Sequence, residues 1–555
     1  MEAFVGKPTP ARHRTRKNCA CENCRNDRSL GCTNPHKCRN AAKKTLDALH
    51  PKWDPRILEI DDGLDLTPEK EAENASARKE DGPIIFDPSV RTTGSLKEGF
   101  RVFVCREALS NYPAYRPRPP VPIEDAVKVY TDGSCTNNGD EDAKAGSGVW
   151  YAPNDERNTA VRLPGPNQTN NAGETAAVLI AAQKTQIMAP LHIMSDSTYV
   201  IDGLTENLHA WEDRGWIGVS NKDLMQATAA RLRLRGNITI FQKVKGHSGD
   251  VGNDGADREA AKGAEKETAD DIDLTVPKNF VISGAKLSKM TQALLYKGIM
   301  ERKTRTIRRG TTICLDMTRY AVQEISKSLP TDSKIWHAIR SPDISRNIRA
   351  FLWRCMHRAQ RCGEWWHNIP NYEHRADCHV CETTESMEHI LTECNVSGQE
   401  TIWNLVEFIL QLKKIPWKRP TIGSLLGCGL VDIRDEEGKR KTGATRLYRI
   451  VVSESMHLVW KLRCEWRISR GADPERVHTV NEIQTRWLKA LDTRLRLDGL
   501  MTDKRRYGSK ALSLNRVRKT WEGVLQDDHR LPDTWPRYTE GLVGIGVARP
   551  PGRNR

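Results

Sequence analysis

The sequence predicts an α/β domain, a five-stranded mixed sheet with flanking helices, ahead of a mostly α-helical C-terminal region carrying a small cysteine-rich module. Three observations carry this prediction. Short alternating segments separated by Gly, Asn and Asp clusters begin at residue 127, and such punctuation marks strands joined by turns. An alanine-rich stretch at 171–185 follows, with strand-like and helical stretches alternating beyond it, the pattern of helices packed on a sheet. From about residue 333 the helical period dominates, and cysteines gather at 378–394.

The elements are read in order. VKVYT (127–131) alternates and is the first strand; AGSGVWYA (145–152) and TAVRLP (159–164) are the second and third. NAGETAAVLIAAQKT (171–185) is a helix whose alanines permit close packing on a sheet. LHIMSD (191–196) is the fourth strand, helical stretches cover about 197–212 and 221–235, ITIFQKV (238–244) is the fifth strand, and NDGADREAAKGAEK (253–266) is a closing helix. Around this domain, 122–266, the chain of 555 residues divides further. Residues 1–50 are basic and cysteine-rich, 51–121 read as a Pro-rich linker, and 267–332 as a linker with a helix at 285–300. Residues 333–395 hold the cysteine module, 396–525 are helical, and 526–555 read as an irregular tail.

Lys and Arg number 87 against 72 Asp and Glu, a net charge of +15. That excess favours a polyanionic partner, usually nucleic acid. No apolar run approaches the roughly 18 residues of a membrane helix, so no membrane partner is expected. The opening MEAFVGKPTPARHRTRK lacks the apolar core of a secretory signal, which points to an intracellular protein, nuclear or cytoplasmic. The 15 cysteines are clustered, as expected for metal ligation in a reducing compartment.

Four acidic residues stand at element ends. Asp132 ends the first strand in YTDGSC, Glu174 lies in the first turn of the alanine-rich helix, Asp196 ends the fourth strand, and Asp257 opens the last helix. Singly, each reads as a turn residue or a complement to a helix dipole. Together they form a set of like charges that divalent cations would reconcile, and oxygen-only donors suit magnesium.

The blocks YTDGSC, TNNAGE, MSDSTYV and VKGHSGDVGNDGADREA, in that order, resemble type 1 ribonuclease H over roughly residues 122–266. The resemblance implies hydrolysis of the RNA strand of an RNA–DNA hybrid with two magnesium ions, manganese being an alternative. Asp132, Glu174, Asp196 and Asp257 match the metal carboxylates, and His247 matches a mobile-loop histidine that assists proton transfer. Asn138, Asn170 and Asn171 match residues that read the 2′-hydroxyl, the group that marks RNA. Thr169 and Asn221 match a phosphate pocket for the DNA strand, and Trp211 an aromatic of the DNA channel. On their own these residues read as a turn asparagine, helix caps and a core tryptophan. The sequence departs from the family at Asn167, where a basic residue is frequent, and at Asn207, where an aromatic is common.

The second cysteine cluster, Cys378, Cys381, His389 and Cys394, has the spacing C-x2-C-x7-H-x4-C, a four-ligand set suited to structural zinc. Residues 333–395 resemble the zinc-binding segment that follows reverse transcriptases of non-LTR retrotransposons. The first cluster offers Cys19, Cys21, Cys24, Cys32, His36 and Cys38. Cys21-x2-Cys24 is a half-site that Cys32 with Cys38 or His36 completes; the candidates outnumber four, and the expected set is Cys21, Cys24, Cys32 and Cys38. No YxDD-type polymerase motif is present, so a separate reverse transcriptase is expected to make the hybrid. The alternative is a non-catalytic nucleic-acid-binding protein with a ribonuclease H-like fold.

Overall fold

The computed structural model describes residues 5–50, 54, 56, 66–90, 99–108, 125–246, 249–304, 306–526, 530–532, 534–537 and 543–544. Two units divide the chain, Met1–Thr304 and Arg305–Arg555.

The first unit opens with α1 (Glu22–Ser29) and α2 (Pro35–Asp47), then α3 (Pro68–Ala77). Its sheet contains β1 (Ile84–Ile85), β2 (Val127–Thr136), β3 (Lys144–Trp150), β4 (Thr159–Arg162), β5 (Leu191–Ser195) and β6 (Thr239–Lys243), in spatial order β1-β6-β5-β2-β3-β4. β2, β3 and β4 pair antiparallel, while β5 lies parallel to both β2 and β6. The sheet is therefore mixed, but it has six strands where the sequence predicts five. The sixth, β1, pairs antiparallel with β6 and comes from the stretch expected to be linker. Ile84 and Phe86 are buried, and Phe86 meets Phe241 edge to face at 6.5 Å. Asn74 of α3 fastens this strand, its side chain both donating to and accepting from the Ile85 backbone at 2.8 Å. A bare β6 edge would offer unpaired backbone groups to other chains, and β1 covers it.

Helices α4 (Asn170–Lys184), α5 (Thr198–Asp202), α6 (Leu208–Asp213), α7 (Lys222–Arg233) and α8 (Val251–Glu265) flank the sheet, with a π-turn, Gly203–Asn207, between α5 and α6. Glycines set how closely two of them approach. A Cβ at Gly148 of β3 would lie 2.0 Å from the Ala256 carbonyl oxygen of α8, and one at Gly133 of β2 would lie 2.3 Å from the Glu174 amide nitrogen of α4. Side chains there would push both helices off the sheet. Ala176, Ala177, Ala181 and Ala182 of α4 are fully buried, which fits the close packing read from that stretch. Beyond the domain lies α9 (Gln292–Arg302), later in the chain than the helix expected at 285–300.

The second unit is helical: α10 (Arg309–Ser326), α11 (Asp332–Ile339), α12 (Arg346–Met356), α13 (Gln399–Leu412), α14 (Ile422–Leu426), α15 (Thr442–Ser469), α16 (Val480–Leu500) and α17 (Leu514–Trp521). One apolar core runs through it, including the fully buried Trp403, Trp466, Trp487 and Trp521. Two expectations change here. α10, from the presumed linker, buries Cys314 and Leu315 in this core, and Trp535 and Val543, from the presumed irregular tail, are buried in it too. Inside the core Arg446 donates to Asp498 at 2.6 and 2.8 Å, and Trp521 donates to the same carboxylate at 2.9 Å. Among the described residues no helix is long and apolar enough to cross a membrane.

Candidate active site and metal centres

Strand register brings the first two carboxylates together. β2 and β5 run parallel with Thr131 opposite Ser195, so one step further Asp132 faces Asp196, across a strand spacing of about 4.8 Å. The close α4 contact at Gly133 brings Glu174 to the same end of the sheet. The contact of α8 with Gly148, itself paired with Asp132, does the same for Asp257, the residue after Ala256. Asp257 sits in the second turn of α8, not at its opening. Gly246 closes on Asp196: a Cβ there would lie 2.7 Å from Oδ2.

The electrostatic result is plain at Asp132, which is only 8% exposed. Burial and the charges of Asp196, Asp257 and Glu174 raise its pKa to about 7, against a single opposing hydrogen bond from the Gly133 amide. Glu174 is also raised, by burial and by Asp196, although Ser197 and Asn170 donate to its oxygens. Neither cost has a cationic side chain to offset it among the causes of these shifts. Carboxylates from four elements, one buried and three half-buried, and mutually repelling, are the donor set of hard divalent ions, and the residues fit that group.

The other expected residues take distinct positions. Thr169 caps α4, its hydroxyl oxygen accepting from the Ala172 amide at 3.1 Å. Asn170 holds Glu174 at 2.9 Å, while Asn171 and Asn138 are exposed, the latter in the turn after β2. Asn221 precedes α7 with φ 53°, next to Ser220, whose carbonyl accepts from the Tyr199 hydroxyl at 2.9 Å. Trp211 is half-buried, packed on Gly203 and 6.0 Å from the Trp216 ring, so much of its surface serves the core. His247 lies outside the described residues. Ser197 was missed by the sequence reading; its place directly after Asp196, at the start of a helix, is the signal that could have found it.

In the second unit Cys378, Cys381, His389 and Cys394 converge within 4.8 Å. A two-residue pairing of Asp377–Cys378 with Thr383–Thr384 turns the first two inward, and a π-turn, His389–Glu393, presents the others. Cys378 and Cys394 sulfurs stand 4.0 Å apart, near the roughly 3.8 Å edge of a tetrahedron with Zn–S bonds of about 2.3 Å. His389 Nε2 is buried with no hydrogen-bond partner, an orphan that a metal would satisfy. These residues fit zinc. A third acidic group, Glu465, His478 and Glu482, is already neutralised by Arg470 and Arg486.

The N-terminal cluster differs from expectation. Cys21 and Cys24 gather with Cys19 and His13, not with Cys32 and Cys38. The last two stand beside each other, where Cys32 raises the exposed Cys38 thiol. Helix α2 begins at Pro35, capped by Asn34, and its His36 ring lies 5.7 Å from that of His13.

A ribonuclease H family model matches residues 124–265. Ribonuclease H1 of Homo sapiens is 37% identical over 165 residues, 28% of this chain and 57% of the human protein. Ribonuclease H of Schizosaccharomyces pombe is 38% identical over 149 residues, 26% of this chain and 55% of that protein. Ribonuclease H of a Polaromonas species (strain JS666) is 39% identical over 149 residues, 25% of this chain and 89% of the bacterial protein. This chain spans about half the length of the mammalian relatives it matches.

Proposed function

Because this chain belongs to the ribonuclease H family, we propose that residues 124–265 hydrolyse the RNA strand of an RNA–DNA hybrid, leaving a 3′-hydroxyl and a 5′-phosphate. The observation that carries this reading is the convergence of Glu174, Asp196 and Asp257 on the buried Asp132, whose carboxyl their charges raise. These four would hold two magnesium ions, or manganese. Bound there, such ions supply charge neutralisation at the phosphate and acidify a water.

The chain's own groups position the rest. Asn170 and Ser197 fix the Glu174 carboxylate from both oxygens. With its amide nitrogen given to Glu174, Asn170 keeps a carbonyl oxygen to accept from a 2′-hydroxyl, and the exposed Asn138 and Asn171 offer further contacts of that kind. Thr169 accepts from the helix with its oxygen and so keeps its hydroxyl proton for a phosphate of the DNA strand, alongside Asn221. Trp211 presents its accessible edge to the same strand. His247 is assigned the proton relay, since an imidazole titrates near neutrality.

Zinc at Cys378, Cys381, His389 and Cys394 is structural in this reading, a closed site with no open position. Its place after a ribonuclease H domain favours a retroelement origin, with the hybrid supplied by a separate reverse transcriptase. The thiolates it needs favour a reducing compartment, nucleus or cytoplasm. The test is a labelled RNA–DNA hybrid, with single-stranded RNA and duplex DNA as controls. Magnesium-dependent cutting confined to the RNA of the hybrid is expected; equal cutting of single-stranded RNA would overturn the proposal.

A further inference from the structure

We propose that His13, Cys19, Cys21 and Cys24 form a second structural zinc site that organises the N-terminal segment. His13 Nδ1 stands 3.4 Å from Cys21 Sγ and 3.5 Å from the sulfurs of Cys19 and Cys24. Three sulfurs around one ring nitrogen are not three hydrogen bonds, because Nδ1 offers a single proton or a single lone pair. A cation shared by all four atoms resolves the crowding. Zn–S bonds of about 2.3 Å and a Zn–N bond of about 2.0–2.1 Å, at the tetrahedral angle, place nitrogen and sulfur about 3.5 Å apart. The distances in the protein match that edge.

The surroundings agree. Cys19, Cys21 and Cys24 are 1%, 6% and 1% exposed and form a buried cluster of their own. Besides them, the described residues of this segment bury only Pro35, Ala42 and Leu46 among apolar side chains. So small a core rarely orders a segment without a metal or disulfides. Three thiolates and one zinc ion carry a net negative charge, and the Arg14 amide donates to Cys19 Sγ at 3.2 Å while Arg12, Arg16 and Lys17 stand exposed around it. Three thiolates and one imidazole complete a closed tetrahedron, so the ion holds structure and leaves no position for substrate.

The spacing is H-x5-C-x-C-x2-C. The test is alkylation of the full-length protein, purified with zinc and read cysteine by cysteine by peptide mass. Cys19, Cys21 and Cys24 are expected to resist iodoacetamide until a zinc chelator is added, while Cys32 and Cys38 react throughout. Alkylation of the three without chelator, a disulfide among them, or protection shared instead with Cys32 and Cys38 would overturn the site. A zinc count supports the map: in a chain already carrying Cys378→Ser and Cys381→Ser, adding Cys21→Ser and Cys24→Ser should remove one zinc per chain, and an unchanged count contradicts the proposal. The map reads each cluster separately, so exposure of Cys378 or Cys394 bears only on the C-terminal module.

Discussion

At the residue scale the chemistry concentrates on Asp132. Its pKa, raised from 3.8 to about 7, is set by burial first and then by Asp196, Asp257 and Glu174. A carboxyl raised on folding keeps its proton in the native state after the unfolded chain has released it. Its stabilising contribution is thus full below about pH 4 and is lost as pH rises through about 7. The magnesium-free protein should therefore melt at a lower temperature at pH 8 than at pH 5.5, by an amount worth a few kcal/mol at most, with Glu174, also raised, adding to the trend. Magnesium should restore more stability at pH 8 than at pH 5.5. Asp132→Asn should flatten the profile, and a wild-type melting temperature unmoved by pH and magnesium would contradict this electrostatic account. The acidic residues were legible as residue types but not in their places: Asp132 lies inside β2 and not at its end, Glu174 lies beyond the first turn of α4, and Asp257 lies in the second turn of α8. Ser197 and His13 were not legible, because a lone serine or histidine carries no spacing signal until the fold brings it to its partners.

Elements carry these side chains to their places through backbone contact. The sheet–helix approach at Gly148 leaves no room for a methyl group, since the Ala256 carbonyl oxygen would lie 2.0 Å away. Gly148→Ala should cost about 1–3 kcal/mol, the usual penalty of overpacking, and should lower hybrid cleavage by displacing Asp257; thermal melting and cleavage rates check both. In the helical unit, Asp498 is fully buried against Arg446. Asp498→Ala leaves that guanidinium without its main partner and should destabilise the unit by about 3–5 kcal/mol, measurable by denaturant melts. Long strands and α4 announced themselves by period and composition. The two-residue β1 did not, because alternation needs several residues to register, and only Phe241 on the facing strand explains why Ile84 and Phe86 are buried.

Across the whole molecule, a domain of about 140 residues does the proposed chemistry, and its limits follow from what it must cover. The family model matches residues 124–265, and the sheet also draws β1 from upstream. A fragment starting at residue 122 should expose the β6 edge and associate, whereas one starting at residue 66 should stay monomeric in gel filtration. The burial of Trp535 and Val543 was not legible in the sequence, since isolated apolar residues in a polar stretch show no period. The central claim is that repelling carboxylates perform hydrolysis once divalent ions join them, and the most direct measurement compares wild type and Asp132→Asn on one labelled hybrid in magnesium, with hybrid binding recorded on the same samples. Cleavage should fall by at least about 100-fold, the loss expected when a term of roughly 3 kcal/mol leaves the transition state, while binding persists. Undiminished cleavage by the variant would contradict the account.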